Sequence, residues 1–222
     1  MKVASQEFRN RFYLSRRFSR LFPAAYARPP LFPPPTMWGE LESSDEIPGP
    51  RAAHSCDLID NKLYVFGGWN GKKALNDLHI LDIASMSWSE VMVVGVPPAT
   101  RNNHTLSQVG TKLYIHGGHD GSKWLADMHI LTLVSALNRA EWSQPMLSGA
   151  PPSARACHTT TRMGRKLYMF GGYDGTKCFN DVDVLDLETM TWIQPRVSGR
   201  LPQVSGEKGR EWERGERRRK EC

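Results

Sequence analysis

The sequence predicts an all-β fold made of three copies of one four-stranded unit, and three observations predict it. The first is a Gly pair behind an apolar stretch, as in "LYVFGG", "LYIHGG" and "LYMFGG". The second is an Arg-x-x-His motif ahead of each pair, and the third is a Trp behind it. The first Gly of each pair is Gly67, Gly117 or Gly171, the Arg is Arg51, Arg101 or Arg155, and the Trp is Trp88, Trp142 or Trp192. Markers recurring in one order at periods of 50 and 54 residues identify an internal repeat.

The first two strands of each unit are predicted to form a tight hairpin. In the first copy, "HSCDLI" and "KLYVF" are separated by Asp60 and Asn61, and the other copies have Gly110-Thr111 and Gly164-Arg165 there. Asp, Asn and Gly tolerate the positive φ angles of a two-residue hairpin turn. The Gly pair is expected to end the second strand, because its backbone can bend where other residues would clash.

The third strand alternates apolar and polar residues, as "DLHILDI", "DMHILTL" and "DVDVLDL". A short turn follows, and the fourth strand is expected to open on the Trp that recurs in each copy. Each unit is therefore predicted to be a four-stranded meander whose apolar faces only a neighbouring unit can cover.

Together these residues resemble the kelch motif, and the resemblance covers about residues 48–200. It implies a kelch-type β-propeller, with blades at residues 48–97, 98–151 and 152–202. Most kelch members are protein-binding modules, and a few, such as galactose oxidase, are enzymes. Two departures stand out: His116 replaces the Phe found before the other Gly pairs, and "LVSALNRAEW" is expected to lengthen a turn by four residues.

Composition argues against two classes of partner, nucleic acids and membranes. Residues 51–200 hold fifteen bases and thirteen acids, so the net charge of +6 comes mostly from the chain ends. The repeats have no basic stripe for nucleic acid, and no apolar run reaches the roughly 20 residues of a membrane span. We therefore expect neither a nucleic-acid nor a membrane partner.

The segments flanking the repeats are predicted to lack regular structure. Residues 1–47 are basic and then Pro-rich, and residues 203–222 form a charged tail outside the repeat. Four cysteines without C-x-x-C spacing favour a reducing compartment, so a cytoplasmic location is expected. The Arg-rich, aromatic start also suits a mitochondrial transit peptide, unless translation begins at Met37.

Three blades are fewer than the roughly 4 to 8 of closed propellers, which leaves two apolar blade faces to cover. The chain can self-associate through these faces, for example as two sets of three blades, or pair with another fragment. Alternatively, the sequence continues, because "SGRLPQ" repeats the start of a blade lead-in before the pattern stops at Val204.

The candidate site is a partner-binding surface at one end of the blades. The Arg-x-x-His arginines and the loops after the Gly pairs are expected at the same end, where basic and aromatic groups suit a protein partner with an acidic segment. The arginines also have a structural alternative, in which they satisfy carbonyl and Asp groups. The predicted residues are Arg51, Arg101, Arg155, Trp69, Lys72, His119, Lys123, Trp124, Tyr173 and Lys177.

The same sequence predicts no cofactor, no metal site and no catalysis. His54, His104 and His158 recur without a matching carboxylate or Cys at ligand spacing, so backbone hydrogen bonds are expected for them. A strand-capping or turn role is expected for Asp77, Asp127 and Asp181. The alternative function is a fragment of a propeller enzyme whose catalytic residues lie in further blades.

Overall fold

The computed structural model describes residues 47–89, 91–134, 139–200 and 202, and these form three β-sheets with no helix among them. We call the sheets blades 1, 2 and 3. The strands of blade 1 are β1 (Ser55–Ile59), β2 (Lys62–Trp69), β3 (Ala74–Asp82) and β4 (Ser87–Ser89). Those of blade 2 are β5 (Met92–Val94), β6 (Thr105–Val109), β7 (Lys112–His119), β8 (Trp124–Val134) and β9 (Arg139–Ser143). Those of blade 3 are β10 (Ser148–Gly149), β11 (Thr159–Met163), β12 (Lys166–Tyr173), β13 (Cys178–Asp186) and β14 (Thr191–Ile193).

The four-stranded meander and its first hairpin are confirmed. The sheet order of blade 1 is β1-β2-β3-β4, and the same order recurs in the other blades. Ile59 pairs with Lys62, which leaves Asp60 and Asn61 as a two-residue turn, with Asp60 at a φ of 53°. Gly110 and Gly164 hold the same position at 60°. The hairpin residues therefore have the backbone freedom that the turn requires.

The prediction that the Gly pair ends the second strand is wrong. β2 runs through the pair to Trp69, with a shift of register between Phe66 and Gly68. Gly67 and Gly68 have φ angles of 63° and 103°, so the pair forms a bulge and the ladder resumes after it. The third strand consequently begins three residues before Asp77, at Ala74.

The four extra residues of the second copy lengthen two strands rather than the turn. β8 and β9 gain the pairs Leu133↔Ala140 and Val134↔Arg139 beyond the ladder of blade 1. Four residues separate these strands, the same number that separates Asp82 from Ser87. The insertion adds two residues to each strand, because a hairpin can grow by whole pairs without changing its turn.

Blades 2 and 3 each have a fifth strand that the sequence did not predict. Met92–Val94 pairs in parallel with β9, and Ser148–Gly149 pairs in parallel with β14. Although β5 lies within residues 48–97, predicted for blade 1, it belongs to the sheet of blade 2. The chain leaving one blade therefore borders the outer edge of the next.

The core lies between consecutive blades, in two interfaces that we call seams. The seam of blades 1 and 2 buries residues of both sheets, including Ile59, Phe66, Leu113 and Trp142. The seam of blades 2 and 3 buries the equivalent residues, and the innermost strands β1, β6 and β11 contact one another in series. The described residues thus form a partial kelch-type β-propeller.

Three predictions fall on residues outside the described ranges. They are the disordered N-terminal segment, its targeting function and the charged tail. The described residues all lie in the unit Leu41–Cys222, one of the chain's two compact units. In the described part of the chain, no helix is long and apolar enough to cross a membrane.

Candidate partner-binding rim

The loops between the second and third strands of the three blades share one built-in turn. Asn70 Oδ1 accepts the backbone N–H groups of Lys72 and Lys73, at 3.0 and 2.9 Å. Asp120 and Asp174 make the same contacts with Lys123 and Lys177, each at 2.8 Å. This side-chain-to-backbone turn fixes the loop, so each lysine leaves the backbone at a defined point.

The turn aspartates are held in the charged form by those hydrogen bonds. The Thr176 hydroxyl and the N–H of Lys177 lower the pKa of Asp174 to about 2. Burial would raise the pKa of Asp120, but hydrogen bonds from Lys123 and Ser122 outweigh it and lower that pKa. Both carboxylates therefore stay ionised at neutral pH, with one oxygen engaged by the loop.

Aromatic side chains connect the loops of neighbouring blades. The Trp124 ring lies 4.7 Å from the His119 ring and 5.3 Å from the Tyr173 ring of blade 3, edge to face with both. Its Nε1 is 2.7 Å from where a β-carbon on Gly175 would be, so no larger residue fits there. The structure thus brings the predicted residues of blades 2 and 3 together.

The remaining predicted loop residues extend this surface. The Cζ3 atom of Trp69 lies 3.9 Å from the β-carbon position of Gly121, which places blade 1 beside the loop of blade 2. Lys177 Nζ lies 5.0 Å from the centre of the Phe179 ring. Lysines 72, 123 and 177 are exposed, whereas the aromatic groups are exposed or half-buried. We call the set Trp69, Lys72, His119, Lys123, Trp124, Tyr173 and Lys177 the rim.

The predicted arginines lie beneath the rim rather than on it. Arg101 is 0% exposed, and its guanidinium donates to both carboxylate oxygens of Asp127, at 3.0 and 2.9 Å. It also donates to the carbonyls of Gly117 and Ala99. Arg155 is buried in the same arrangement with Asp181. This geometry agrees with the alternative in which the arginines satisfy carbonyl and Asp groups, because every guanidinium nitrogen of Arg101 already has an acceptor.

Arg51 makes the same contacts in blade 1, where the arginine and its aspartate are both more exposed to solvent than in blade 2. It donates to both oxygens of Asp77 at 2.7 and 2.9 Å and to the Gly67 carbonyl at 3.1 Å. The turn role predicted for Asp77 and its equivalents is therefore wrong, since they bind the arginines. A sequence signal for these pairs existed, because Arg and Asp are 26 residues apart in every copy.

A third residue of this network differs in blade 3. His79 and His129 contact Asp77 and Asp127 through Nε2, at 2.9 Å in both blades. Asp183 takes that position in blade 3, where it is 1% exposed. Burial and the neighbouring Asp181 raise the pKa of Asp183. Its closest cation is Arg155, whose Nη2 is 3.9 Å away and already bound to Asp181.

Replacing Asp183 with His is expected to raise the free energy of unfolding by about 1 kcal/mol. The imidazole would donate to Asp181, as His79 and His129 do to their partners, and a buried carboxyl group with poor compensation would disappear. Urea unfolding at pH 7 would measure the change, with His129→Asp as the reciprocal control. A fall in stability for Asp183→His would show that this seam has no room for the ring.

His104 and His158 of the Arg-x-x-His motifs pack in the seams against the residue that precedes the Gly pair of the preceding blade. His104 meets Phe66 edge to face at 5.5 Å. His158 meets His116 at 5.3 Å, and its Nε2 lies 3.1 Å from Thr105 Oγ1 and 3.3 Å from His116 Nδ1. The hydrogen bonds of His158 are thus with side chains, whereas backbone partners were expected.

Burial keeps these imidazoles neutral. Burial and the nearby Arg101 guanidinium lower the pKa of His104 to about 3. Burial and His158 lower that of His116 to about 3. Burial and Arg155 lower that of His158 to about 4. Within the described ranges, no group of three or more His, Cys, Asp or Glu residues is arranged to hold a metal ion.

Comparison with known proteins places the repeat in a family. The KLHDC2/KLHL20/DRC7 Kelch-repeats domain matches residues 35–136 and 134–209. The Rab9 effector protein with kelch motifs from Mus musculus is 33% identical over 181 residues, which cover 77% of this chain and 47% of that protein.

Two further relatives are longer. Acyl-CoA-binding domain-containing protein 6 from Oryza sativa subsp. japonica is 33% identical over 173 residues, 74% of this chain and 26% of that protein. Leucine-zipper-like transcriptional regulator 1 from Homo sapiens is 37% identical over 172 residues, 74% of this chain and 20% of that protein. The chain therefore matches between 20% and 47% of the length of these three relatives. With its three sequence copies, its bladed sheets and this match, the chain belongs to the kelch-repeat family.

Proposed function

We propose that the chain is a protein-interaction module, without catalysis of its own, whose rim binds a partner segment carrying acidic and apolar side chains. The observation that carries the proposal is the aromatic run His119–Trp124–Tyr173, which crosses from blade 2 to blade 3 with Lys123 and Lys177 beside it. Aromatic groups that keep one face exposed are the usual anchors of protein interfaces.

The charges of the rim fit a mixed partner segment. Lys72, Lys123 and Lys177 are exposed, and the loop aspartates that accompany them are occupied in part by loop N–H groups. Acidic side chains of a partner would pair with the lysines while its apolar side chains contact the aromatic run. The names of two relatives, an effector and a transcriptional regulator, suit an interaction role.

The three arginines enter this proposal as supports of the rim. Arg101 donates to the carbonyl of Gly117, two residues before His119, and Arg155 donates to the carbonyl of Gly171, two residues before Tyr173. The Arg155 guanidinium also lies 3.8 Å over the Phe179 ring, below Lys177. They hold the loops from within the blades, and partner contact falls to the seven residues of the rim.

Charge reversal at the rim is expected to weaken binding of an acidic peptide about tenfold or more. The variant is Lys123→Glu with Lys177→Glu, and the probe is a fluorescein-labelled synthetic peptide that alternates Glu with Leu and Phe. Fluorescence anisotropy would give its dissociation constant at two salt concentrations, since salt screens exposed charge pairs.

The matched control is Lys112→Glu with Arg162→Glu. These residues are also exposed and carry the same change of charge, but they lie next to the hairpin turns at the other end of β7 and β11. Equal weakening by both pairs would mean that net charge alone attracts the peptide. No change in either pair would overturn the rim as the binding surface.

Self-association is a second interaction that we propose, favoured by apolar side chains on the outward faces of blades 1 and 3. Met163 and Phe170 of blade 3 are 64% and 39% exposed. The propeller-enzyme alternative requires residues outside those described, and no comparison favours it. A cytoplasmic location stays a prediction.

A further inference from the structure

The outward face of blade 3 carries the side chains that the seams bury elsewhere. Phe170 is 39% exposed, while its equivalent Phe66 in blade 1 is 0% exposed. Met163 is 64% exposed, while its equivalent Ile59 is 5% exposed. The positions are the same in the repeat, so the difference comes from the missing cover of a following blade among the described residues.

The outward face of blade 1 shows the converse pattern. Leu63, Leu81 and Trp88 are only half-buried. Their equivalents, which face the preceding blade, are buried: Leu113, Leu131 and Trp142 in blade 2, and Leu167, Leu185 and Trp192 in blade 3. Blade 1 therefore presents the half of a seam that blade 3 lacks.

We propose that two copies of the chain close into one ring of six blades, in which blade 3 of each copy packs on blade 1 of the other in the register of the two seams within the chain. Six lies within the range of closed propellers. The proposal deepens the self-association proposed above and is independent of the rim. The proposed contact repeats the seam between consecutive blades, which the chain already makes twice.

The register names the contacts. Phe66 lies 5.5 Å from His104 and 5.2 Å from Trp142, and His116 lies 5.3 Å from His158 and 5.4 Å from Trp192. By the same offsets, Phe170 packs against His54 and Trp88 of the second copy.

The backbone follows the same rule. The N–H of Gly68 donates to the Arg101 carbonyl and that of Gly118 to the Arg155 carbonyl, both at 2.9 Å. In the proposed seam, the N–H of Gly172 donates to the Arg51 carbonyl of the second copy. Apolar packing and the backbone bond repeat together, and this fixes the register, because a slip by one residue would break the backbone bond and move Phe170 away from His54 and Trp88.

Closure at two copies follows from the head-to-tail direction of the seam together with the number of blades. A head-to-tail interface forms a ring if the rotation closes and an open chain of molecules if it does not. The described residues of each copy contribute three blades, with one outward face of each kind. Two copies give six blades, whereas three copies would give nine, which is more than the roughly 4 to 8 of closed propellers. The alternative is a filament, and the experiment separates the two.

One side-chain pair allows a direct test. Thr105 Oγ1 and Thr160 Oγ1 are 3.0 Å apart across the seam of blades 2 and 3. Their equivalents in the proposed seam are Thr159 and Cys56 of the second copy. Replacing Thr159 with Cys therefore places two thiols at a separation that a disulfide can span after a small adjustment.

The crosslinking variant is Thr159→Cys with the other native cysteines removed, as Cys157→Asn, Cys178→Ser and Cys222→Ser. Asn is chosen at 157 because Asn103 holds that position, with positive φ, in blade 2. Diamide takes two electrons and two protons from the thiol pair and becomes the hydrazine. The expected product is a covalent dimer that a thiol reductant splits.

Two controls accompany it. Thr160→Cys in the same background points toward blade 2 and is expected to give no dimer, because its neighbour there is Thr105. Thr159→Cys with Cys56→Ser lacks the second thiol. Light scattering on the unoxidised full chain is expected to give about twice the 25.1 kDa of one copy.

The outcomes separate the proposals. A covalent dimer in the Thr159→Cys variant alone supports the ring and its register. A monomer by light scattering would overturn both self-association and the ring. A dimer without the crosslink would overturn the register and leave self-association standing, and a covalent ladder would overturn closure at six blades. None of these results changes with peptide binding at the rim.

Discussion

Replacing Arg101 with Ala is expected to lower the free energy of unfolding by about 3 kcal/mol or more. The side chain is 0% exposed and donates to Asp127, Gly117 and Ala99, so its loss removes two hydrogen bonds from a carboxylate and one from each of two carbonyls. Burial alone would raise the pKa of Asp127, but hydrogen bonds from His129 and Arg101 hold it well below its usual range. The charged carboxylate would keep only His129.

Urea unfolding at pH 7 would measure this loss, with Arg139→Ala as the control. Arg139 pairs with Glu141 at 3.2 Å, where both side chains are more than a third exposed, so its removal is expected to cost less than about 1 kcal/mol. Arg101→Lys keeps the charge but loses the two-pronged contact, and an intermediate loss is expected. Equal stability of Arg101→Ala and Arg139→Ala, with weaker peptide binding in the former, would instead place the guanidinium at a binding surface.

The second large effect is a loss of stability as the pH falls below about 6.5. His104, His116 and His158 have folded-state pKa values of about 3, 3 and 4, while an unfolded histidine titrates near 6.5. Between these values the unfolded chain binds more protons than the folded one, so acid favours unfolding. Keeping these histidines neutral in the folded state has no free-energy cost above pH 6.5, and the cost grows as the pH falls below that value.

Each of these groups contributes at most about 1.4 kcal/mol per pH unit in that window. Urea midpoints at pH 7.5, 6.5, 5.5 and 5.0 would show the slope. Burial would raise the pKa values of Asp77 and Asp127, but hydrogen bonds from the bound arginines and histidines outweigh it and lower them. These two carboxylates add their own loss only below about pH 4, because depressed carboxyl pKa values act below the unfolded value near 3.9. Asp183, whose pKa is raised by burial and Asp181, acts in the opposite direction, because its folded form binds a proton before its unfolded form does as the pH falls. The slope above pH 5 is therefore the histidine effect reduced by that of Asp183.

The matched variant for the pH effect is His116→Phe. It restores the residue found at this place in the other two blades, and Phe66 shows that a ring of that size fits a seam between His and Trp. The slope below pH 6.5 should become shallower by up to about 1.4 kcal/mol per pH unit. An unchanged slope would mean that His116 does not titrate on unfolding in this range.

Local sequence was sufficient to predict those parts of the fold that depend on residues adjacent in the chain. The two-residue turn at Asp60 and Asn61 follows from the φ angles those residues tolerate, and the strand order follows from the repeat. The bulge at Gly67 did not follow, because a positive φ suits a strand end and a bulge equally well. The next blade adds a reason for Gly at this position, because the Arg101 carbonyl would be 2.8 Å from a β-carbon at Gly67.

The candidate site was predicted in outline. The side-chain types of the rim could be read from the loops, but the contact of Trp124 with Tyr173 joins two blades and depends on how they pack. Spacing alone could not decide whether Arg101 faced a partner or Asp127. The strand Met92–Val94 was missed because its partner begins at Arg139, far along the chain, and three apolar residues carry no periodicity.

That strand also bears on how the protein is made. Met92–Val94 leaves the ribosome before any other part of blade 2. The strand that will pair with the outer edge of β9 is therefore already present when Ser143 completes the sheet. Ser148–Gly149 precedes blade 3 in the same way. A newly made sheet with a bare outer edge invites pairing with other nascent chains. For blades 2 and 3, synthesis from the N-terminus therefore makes the strand that covers the outer edge before it makes the rest of the sheet.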